Sequence, residues 1–140
     1  LQPKEEDIRS LDAYLEDRRL LTTRLDIRPP AYYWVAAKAK LRAAPGADRS
    51  TVESQVLDRL YRFLNPLTGG PDGKGWPFGR HLFVSDIYQC LQGIPNIQFI
   101  RSVEMFSAKA GGEAQGEALE TLELVSHGVI ASGLHSVEFV

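Results

Sequence analysis

The chain has 140 residues, of which 44% are hydrophobic and 24% charged, and its formal net charge is −2. That length fits one domain of the usual size, roughly 100–200 residues, and the balance fits a packed core rather than a disordered chain. A net negative chain lacks the basic face that phosphate binding demands, which excludes nucleic acid as the main partner; no apolar run approaches the roughly 20 residues of a membrane-spanning helix, which excludes insertion of that kind.

The chain opens Leu1-Gln-Pro-Lys-Glu-Glu6, with neither a methionine nor a charged-then-apolar signal pattern. It reads as a processed product or a piece of a longer polypeptide. Ile8, Leu11, Tyr14 and Leu15 then recur at spacings of three and four, with Glu5, Glu6, Asp7, Asp12 and Glu16 on the other faces. The spacing predicts an amphipathic helix, and its acidic start and closing Arg18 and Arg19 suit the helix dipole. Next, Leu21, Thr23, Leu25 and Ile27 alternate with Thr22, Arg24, Asp26 and Arg28, which predicts a half-buried strand. Residues 1–28 are therefore expected to form an N-terminal helix and a lead-in strand, ahead of a single α+β unit over 29–140.

Pro29-Pro30 cannot donate ladder hydrogen bonds and punctuates the sheet. Beyond it, Tyr33, Val35, Ala37, Ala39 and Leu41 form one face of a strand, and Tyr32, Trp34, Ala36, Lys38, Lys40 and Arg42 the other. The small alanines predict that a helix packs closely over it. Ala44-Pro-Gly-Ala47 is a turn, and Asp48 or Ser50 caps a helix marked by Val52, Val56, Leu60, Phe63 and Leu64. Asn65-Pro66 stops that helix. Leu82 to Val84 reads as a short extended piece, Ser85 as the N-cap of a helix carrying Ile87, Tyr88 and Leu91, and Gly93 as its left-handed terminator. Ile97 to Phe106 alternates as a central strand, residues 109–117 form a hairpin-type connection, and two strands follow at 119–125 and 134–140. Gly128 to Gly133 between them reads as a kinked crossover.

This order predicts an α+β fold: a mixed sheet of about five strands with helices packed on one face, plus the N-terminal helix. A right-handed crossover through the helices is expected to make the strands at 31–43 and 97–107 parallel neighbours.

Catalytic equipment is sparse. His81, His127 and His135 are widely spaced, and the single cysteine, Cys90, lies in an apolar helical pattern as a small buried hydrophobe. Neither a disulfide framework nor a zinc site can be built from them, and no cofactor is expected. Ser85, His81 and Asp86 are close in sequence, but adjacency is not triad geometry. The chain is expected not to be an enzyme.

The segment Asn65-Pro-Leu-Thr-Gly-Gly-Pro-Asp-Gly-Lys-Gly-Trp-Pro-Phe-Gly-Arg80 is the most informative stretch. Its glycines match neither GxGxxG nor GxxxxGK[ST], since Gly75 follows Lys74, and it follows a helix instead of leading from a strand into one. Its first half is turn chemistry; its second half joins two large aromatics, a proline and a guanidinium. Two readings stand: Trp76 and Phe78 fold back on the core beside Phe63 and Leu64, or they anchor a partner, since Trp and Arg dominate binding hot spots.

The run from Tyr61 through Arg80, with Val84-Ser-Asp-Ile-Tyr88, resembles the C-terminal part of a family of baseplate assembly proteins, the baseplate J-like wedge proteins of phage-tail-like contractile injection systems. Leu15 to Thr23, Pro30 to Val35 and Ser132 to Glu138 are similar to the family's lead-in and tail end, so the resemblance covers nearly the whole chain. It implies a non-enzymatic structural part of the baseplate wedge and a much longer parent. It also implies contact with other baseplate subunits (a wedge partner and sheath- or tube-proximal proteins) within a symmetric hetero-oligomeric particle. Assembly in the cytoplasm into a virion-like particle, which can be released from the cell, goes with it. Asn65, Pro66, Trp76, Phe78 and Arg80 are the candidate protein-interaction residues. The alternative is a small α+β ligand-binding or enzymatic domain with an anion site near Arg80 and His81.

Overall fold

A computed structural model describes residues 2–140. Helix α1 spans Glu5–Glu16, strand β1 Ala31–Ala43, helix α2 Arg49–Phe63, strand β2 Leu82–Phe83 and helix α3 Val84–Leu91. Strands β3 (Ile97–Ala108), β4 (Ala114–Leu119), β5 (Thr121–Leu122), β6 (Gly128–Ser132) and β7 (Ser136–Phe139) complete the chain. The fold is α+β, with a mixed five-stranded sheet ordered β4-β3-β1-β6, β7 pairing β1 as well, and β2 and β5 forming a separate two-stranded pair.

The sheet is built around β1. The odd-numbered face predicted from its alternation, Val35, Ala37, Ala39 and Leu41, is buried against Val52, Val56 and Leu60 of α2 and Ile87 and Leu91 of α3. The alanines let the helices approach closely. Both helices lie on this face, while Trp34, Lys38 and Lys40 on the other stay partly open. Asp48 caps α2 by accepting the Thr51 N–H at 3.0 Å. Gly93, at φ +81°, ends α3 in the left-handed region as its sequence position predicts.

Several expectations need correction. The alternating segment 21–27 forms no strand; Leu21 is fully exposed and residues 20–30 run as turn and coil. Alternation supplies a face but not a ladder partner, and among the described residues none pairs with it. Strands β1 and β3 are antiparallel, with Ala39 opposite Val103, instead of parallel. Their crossover contains two helices, and each reverses the chain, so β3 starts where β1 ends: the Ala44 N–H donates to the Asn96 carbonyl at 2.8 Å. The parallel neighbours of β1 are β6 and β7. Residues 128–132, read as a crossover, are β6, with Val129, Ile130 and Ala131 buried. The strand expected at 119–125 divides into the end of β4 and the short β5. Ser85 lies inside α3; Phe83 takes the N-cap position, where its N–H donates to the Asp86 carboxylate at 3.0 Å.

β6 and β7 lie end to end along the same edge of β1, pairing Ala31–Val35 and Lys38–Leu41 respectively. The junction between them is spliced by a side chain. Gly133 N–H donates to the Val35 carbonyl at 2.7 Å, and the Ala37 N–H donates to His135 Nδ1 at 3.0 Å. With Nδ1 accepting, the ring proton sits on Nε2 and is shared with Ser132 Oγ at 2.5 Å. The Tyr61 ring covers the imidazole at 4.6 Å between centroids. His135, directly ahead of β7, is therefore a buried staple.

Burial pushes the His135 imidazole down to about 4 from its ordinary 6.5. The folded value is the lower one, so as pH falls the unfolded chain takes up this proton first. The contribution is complete above about 6.5 and is lost progressively towards 4. A shift of this size caps the loss at roughly 3 kcal/mol. Urea titrations at stepped pH are expected to show stability falling across this window. His135→Gln, which keeps a neutral acceptor, is expected to flatten that component; an unchanged pH slope in the variant overturns the assignment.

Candidate functional site

The 65–80 loop is held from within. Asn65 Oδ1 accepts the N–H groups of Leu67 and Thr68 at 2.8 and 3.0 Å, closing the first turn. Gly70 N–H returns to the Phe63 carbonyl at 2.8 Å, Gly75 N–H to Gly69 at 2.9 Å and Trp76 N–H to Pro66 at 3.1 Å. These crossings press the loop onto the end of α2. A β-carbon at Gly69 would stand 2.3 Å from the Phe63 carbonyl oxygen, so no side chain fits there. At its far end the loop reaches the sheet, where Gly79 N–H donates to the Gly128 carbonyl of β6 at 2.9 Å. The loop thus engages the outer edge of β6.

The two aromatics take opposite places. Trp76 is 4% exposed and meets Phe63 edge to face at 5.7 Å between ring centroids. Its Nε1–H donates to the Arg80 carbonyl at 3.0 Å. Phe78 is 66% exposed. The core-capping reading therefore describes Trp76, and Phe78 is the aromatic that faces outward. Leu67, outside the candidate set, is exposed as well.

Arg80 is fixed from two sides. Its guanidinium carbon sits 5.1 Å from the Trp76 ring centre, and its two terminal nitrogens donate to the two Asp86 oxygens at 3.1 and 3.2 Å. Asp86 in turn receives the Phe83 N–H, so Trp76, Arg80, Asp86 and the start of α3 form one chain of contacts. In the sequence Asp86 stands as a neighbour of His81 and Ser85 and within the run Val84–Tyr88; its spacing of six from Arg80 carries no recognisable periodicity. His81 is turned away to accept the Leu124 N–H at Nδ1, 2.9 Å. The structure does not join Arg80 and His81 at one ligand position, nor does it assemble Ser85, His81 and Asp86 as a triad.

Between α2, α3 and the loop runs a groove of about 430 Å³, lined by Arg59, Arg62 and Arg80, with Phe63, Gly70 and Cys90 among its walls. Arg62 pairs with Asp58 at 3.0 Å and Arg80 with Asp86; Arg59 carries no ion pair among the described residues. From the sequence Arg59 and Arg62 read only as part of the outward face of α2, where charge is the default. Burial pushes the Cys90 thiol up to about 11, despite the opposing pull of Arg59. No group of three His, Cys, Asp or Glu among the described residues is placed to hold a metal ion, and no described helix is long and apolar enough to cross a membrane.

What this geometry defines is a self-packed loop that buries Trp76 and presents Phe78 at its rim. Compared with protein-family models and with curated proteins, the sequence gives no match.

Two outcomes follow. Trp76→Ala is expected to lower the unfolding free energy by roughly 3–5 kcal/mol, whereas Phe78→Ala is expected to change it by less than about 0.5 kcal/mol, both by denaturant titration. Iodoacetamide at mildly alkaline pH is expected to label Cys90 far more slowly in the folded chain than in urea, since the thiolate is the reacting form; equal rates would contradict a suppressed thiol.

Proposed function

We propose that this chain is a structural module of the baseplate wedge of a phage-tail-like contractile injection system, acting by protein–protein contact and not by catalysis. Its partners on this reading are other baseplate subunits, in a symmetric hetero-oligomeric particle assembled in the cytoplasm. The sequence resemblance suggests the family, and its most specific part is the loop motif. The observation that carries the reading is what this motif becomes: a loop pinned at both ends, with Phe78 exposed beside a guanidinium held by Trp76 and Asp86. A surface ordered before contact loses little conformational entropy on docking.

The five candidate residues divide accordingly. Asn65, Pro66 and Trp76 hold the loop's shape; Phe78 and the partly exposed edge of Arg80 meet the partner. The alternative, an anion site shared by Arg80 and His81, has less support, because Arg80 is already neutralised by Asp86 and His81 faces Leu124.

Phe78→Asp is the discriminating variant because it alters the exposed rim without touching the core. It is expected to leave the melting temperature of the isolated chain within a few degrees of wild type. In the parent protein it is expected to block incorporation of the wedge into particles, scored by electron microscopy. Normal particles carrying Phe78→Asp would remove the loop from the interface.

A further inference from the structure

A second cleft, of about 720 Å³, lies where the open face of β1 meets the start of the 65–80 loop, and none of its lining residues is charged. Tyr32, Trp34, Pro30 and Pro66 line it with rings, and Ala110 and Ala131 add only methyl groups. Its volume falls within the range of ligand pockets, about 300–1,000 Å³. The rings are set before any ligand arrives. Tyr32 and Trp34 stand 6.2 Å apart between centroids on β1, in register with Val129 and Ala131 of β6.

The hydrogen-bonding groups left over in this cleft are chiefly donors. Asn65 commits its Oδ1 to the Leu67 and Thr68 amides, which leaves the two protons of its Nδ2. Ser132 Oγ is already held by His135 Nε2 and the Gly133 carbonyl. The indole N–H of Trp34 has no hydrogen-bond partner among the described residues and is open to solvent, whereas that of Trp76 is taken by the Arg80 carbonyl.

A cleft of this kind selects a ligand that brings carbonyl oxygens and apolar rings but few N–H groups. A charged ligand would give up hydration without meeting a counter-charge. An ordinary strand brings an N–H at every residue, more than the remaining acceptors can meet. A proline-rich segment avoids both costs: its prolines have no N–H, and in the polyproline II form its carbonyls stay free of internal bonds. Aromatic-lined grooves are a recurring way of binding such segments.

We propose that this cleft binds an uncharged, proline-rich segment of a partner protein. Prolines stack on Tyr32 and Trp34, and Trp34 Nε1 and Asn65 Nδ2 donate to the segment's carbonyls. The site is separate from Phe78 and does not depend on the baseplate reading.

The two tryptophans make one NMR titration sufficient to test it. Octaproline, acetylated and amidated, is added to the isotope-labelled full chain. The Trp34 indole N–H resonance is expected to shift saturably, with a dissociation constant below about 1 mM, while that of Trp76 stays in place. A Gly-Ser peptide of equal length and the neutral sugar chitotetraose are expected to move neither. Asn65→Asp keeps the oxygen that the turn needs and removes the donor. It is expected to weaken binding roughly tenfold, the worth of one hydrogen bond, with a dispersed spectrum confirming the fold. Phe78→Asp is expected to bind octaproline like wild type, so failure here is distinguishable from failure of the loop interface. An unmoved Trp34 resonance at millimolar octaproline overturns the proposal, as does an equal response to the Gly-Ser peptide. A response to chitotetraose alone assigns the cleft to a glycan and overturns it too, and so does full-strength binding by Asn65→Asp.

Discussion

Strand β1 must satisfy hydrogen bonds on both edges and packing on one whole face, and the remaining elements are arranged by that requirement. Its 13 residues are longer than any neighbour on the β6–β7 side can match. One edge is met by β3 from Val35 to Ala43; the other is met in two pieces, with an imidazole filling the break. An unpaired buried amide costs about 1–3 kcal/mol, so the staple at Ala37 is worth more than its single contact implies. The same geometry forces His135 to be neutral and fixes its tautomer. It also explains why a serine within hydrogen-bonding distance of a histidine is not a nucleophilic pair here: Nε2 donates to Ser132 and cannot take its proton.

The outer edge of β6 raises the same problem again, because an uncovered edge is a template for unwanted pairing. The 65–80 loop meets it at Gly79 and anchors itself at the end of α2 through Trp76. The loop's length follows from this double attachment. It must leave the end of α2, place an indole against Phe63, reach β6 and then deliver the chain to β2 and α3. Glycines enter where backbones cross too closely for a β-carbon, as at Gly69.

The parts of this fold that depend on local pattern were legible in the sequence: the face of β1 that the helices cover, α2 with its Asp48 cap, the Gly93 terminator, and the N-terminal helix. What was not legible depends on long-range pairing. Alternation at 21–27 matches that of a strand, but no partner meets it. The Gly-flanked run 128–132 has too short a pattern to show that it lies against β1, and local pattern does not reveal that a crossover of two helices returns β3 antiparallel to β1. In the loop, the aromatic and arginine content pointed to the right segment, yet only packing separates Trp76 inside from Phe78 outside. His135 carried no signal at all, because its partner amide lies 98 positions away.

Two ways of preparing for contact coexist in this chain, and they differ in where the ordering cost falls. The loop meets that cost during folding: its turns, the indole and the Arg80–Asp86 pair are set before any partner arrives, so Phe78 is offered on a surface with little left to lose. The N-terminal arm defers it. A short helix with an open stripe on an irregular tether has no packing of its own, so any contact it makes bears that cost as it forms, which lowers affinity for a given area but extends reach. A fixed surface selects by shape, and a tethered acidic helix by charge over distance.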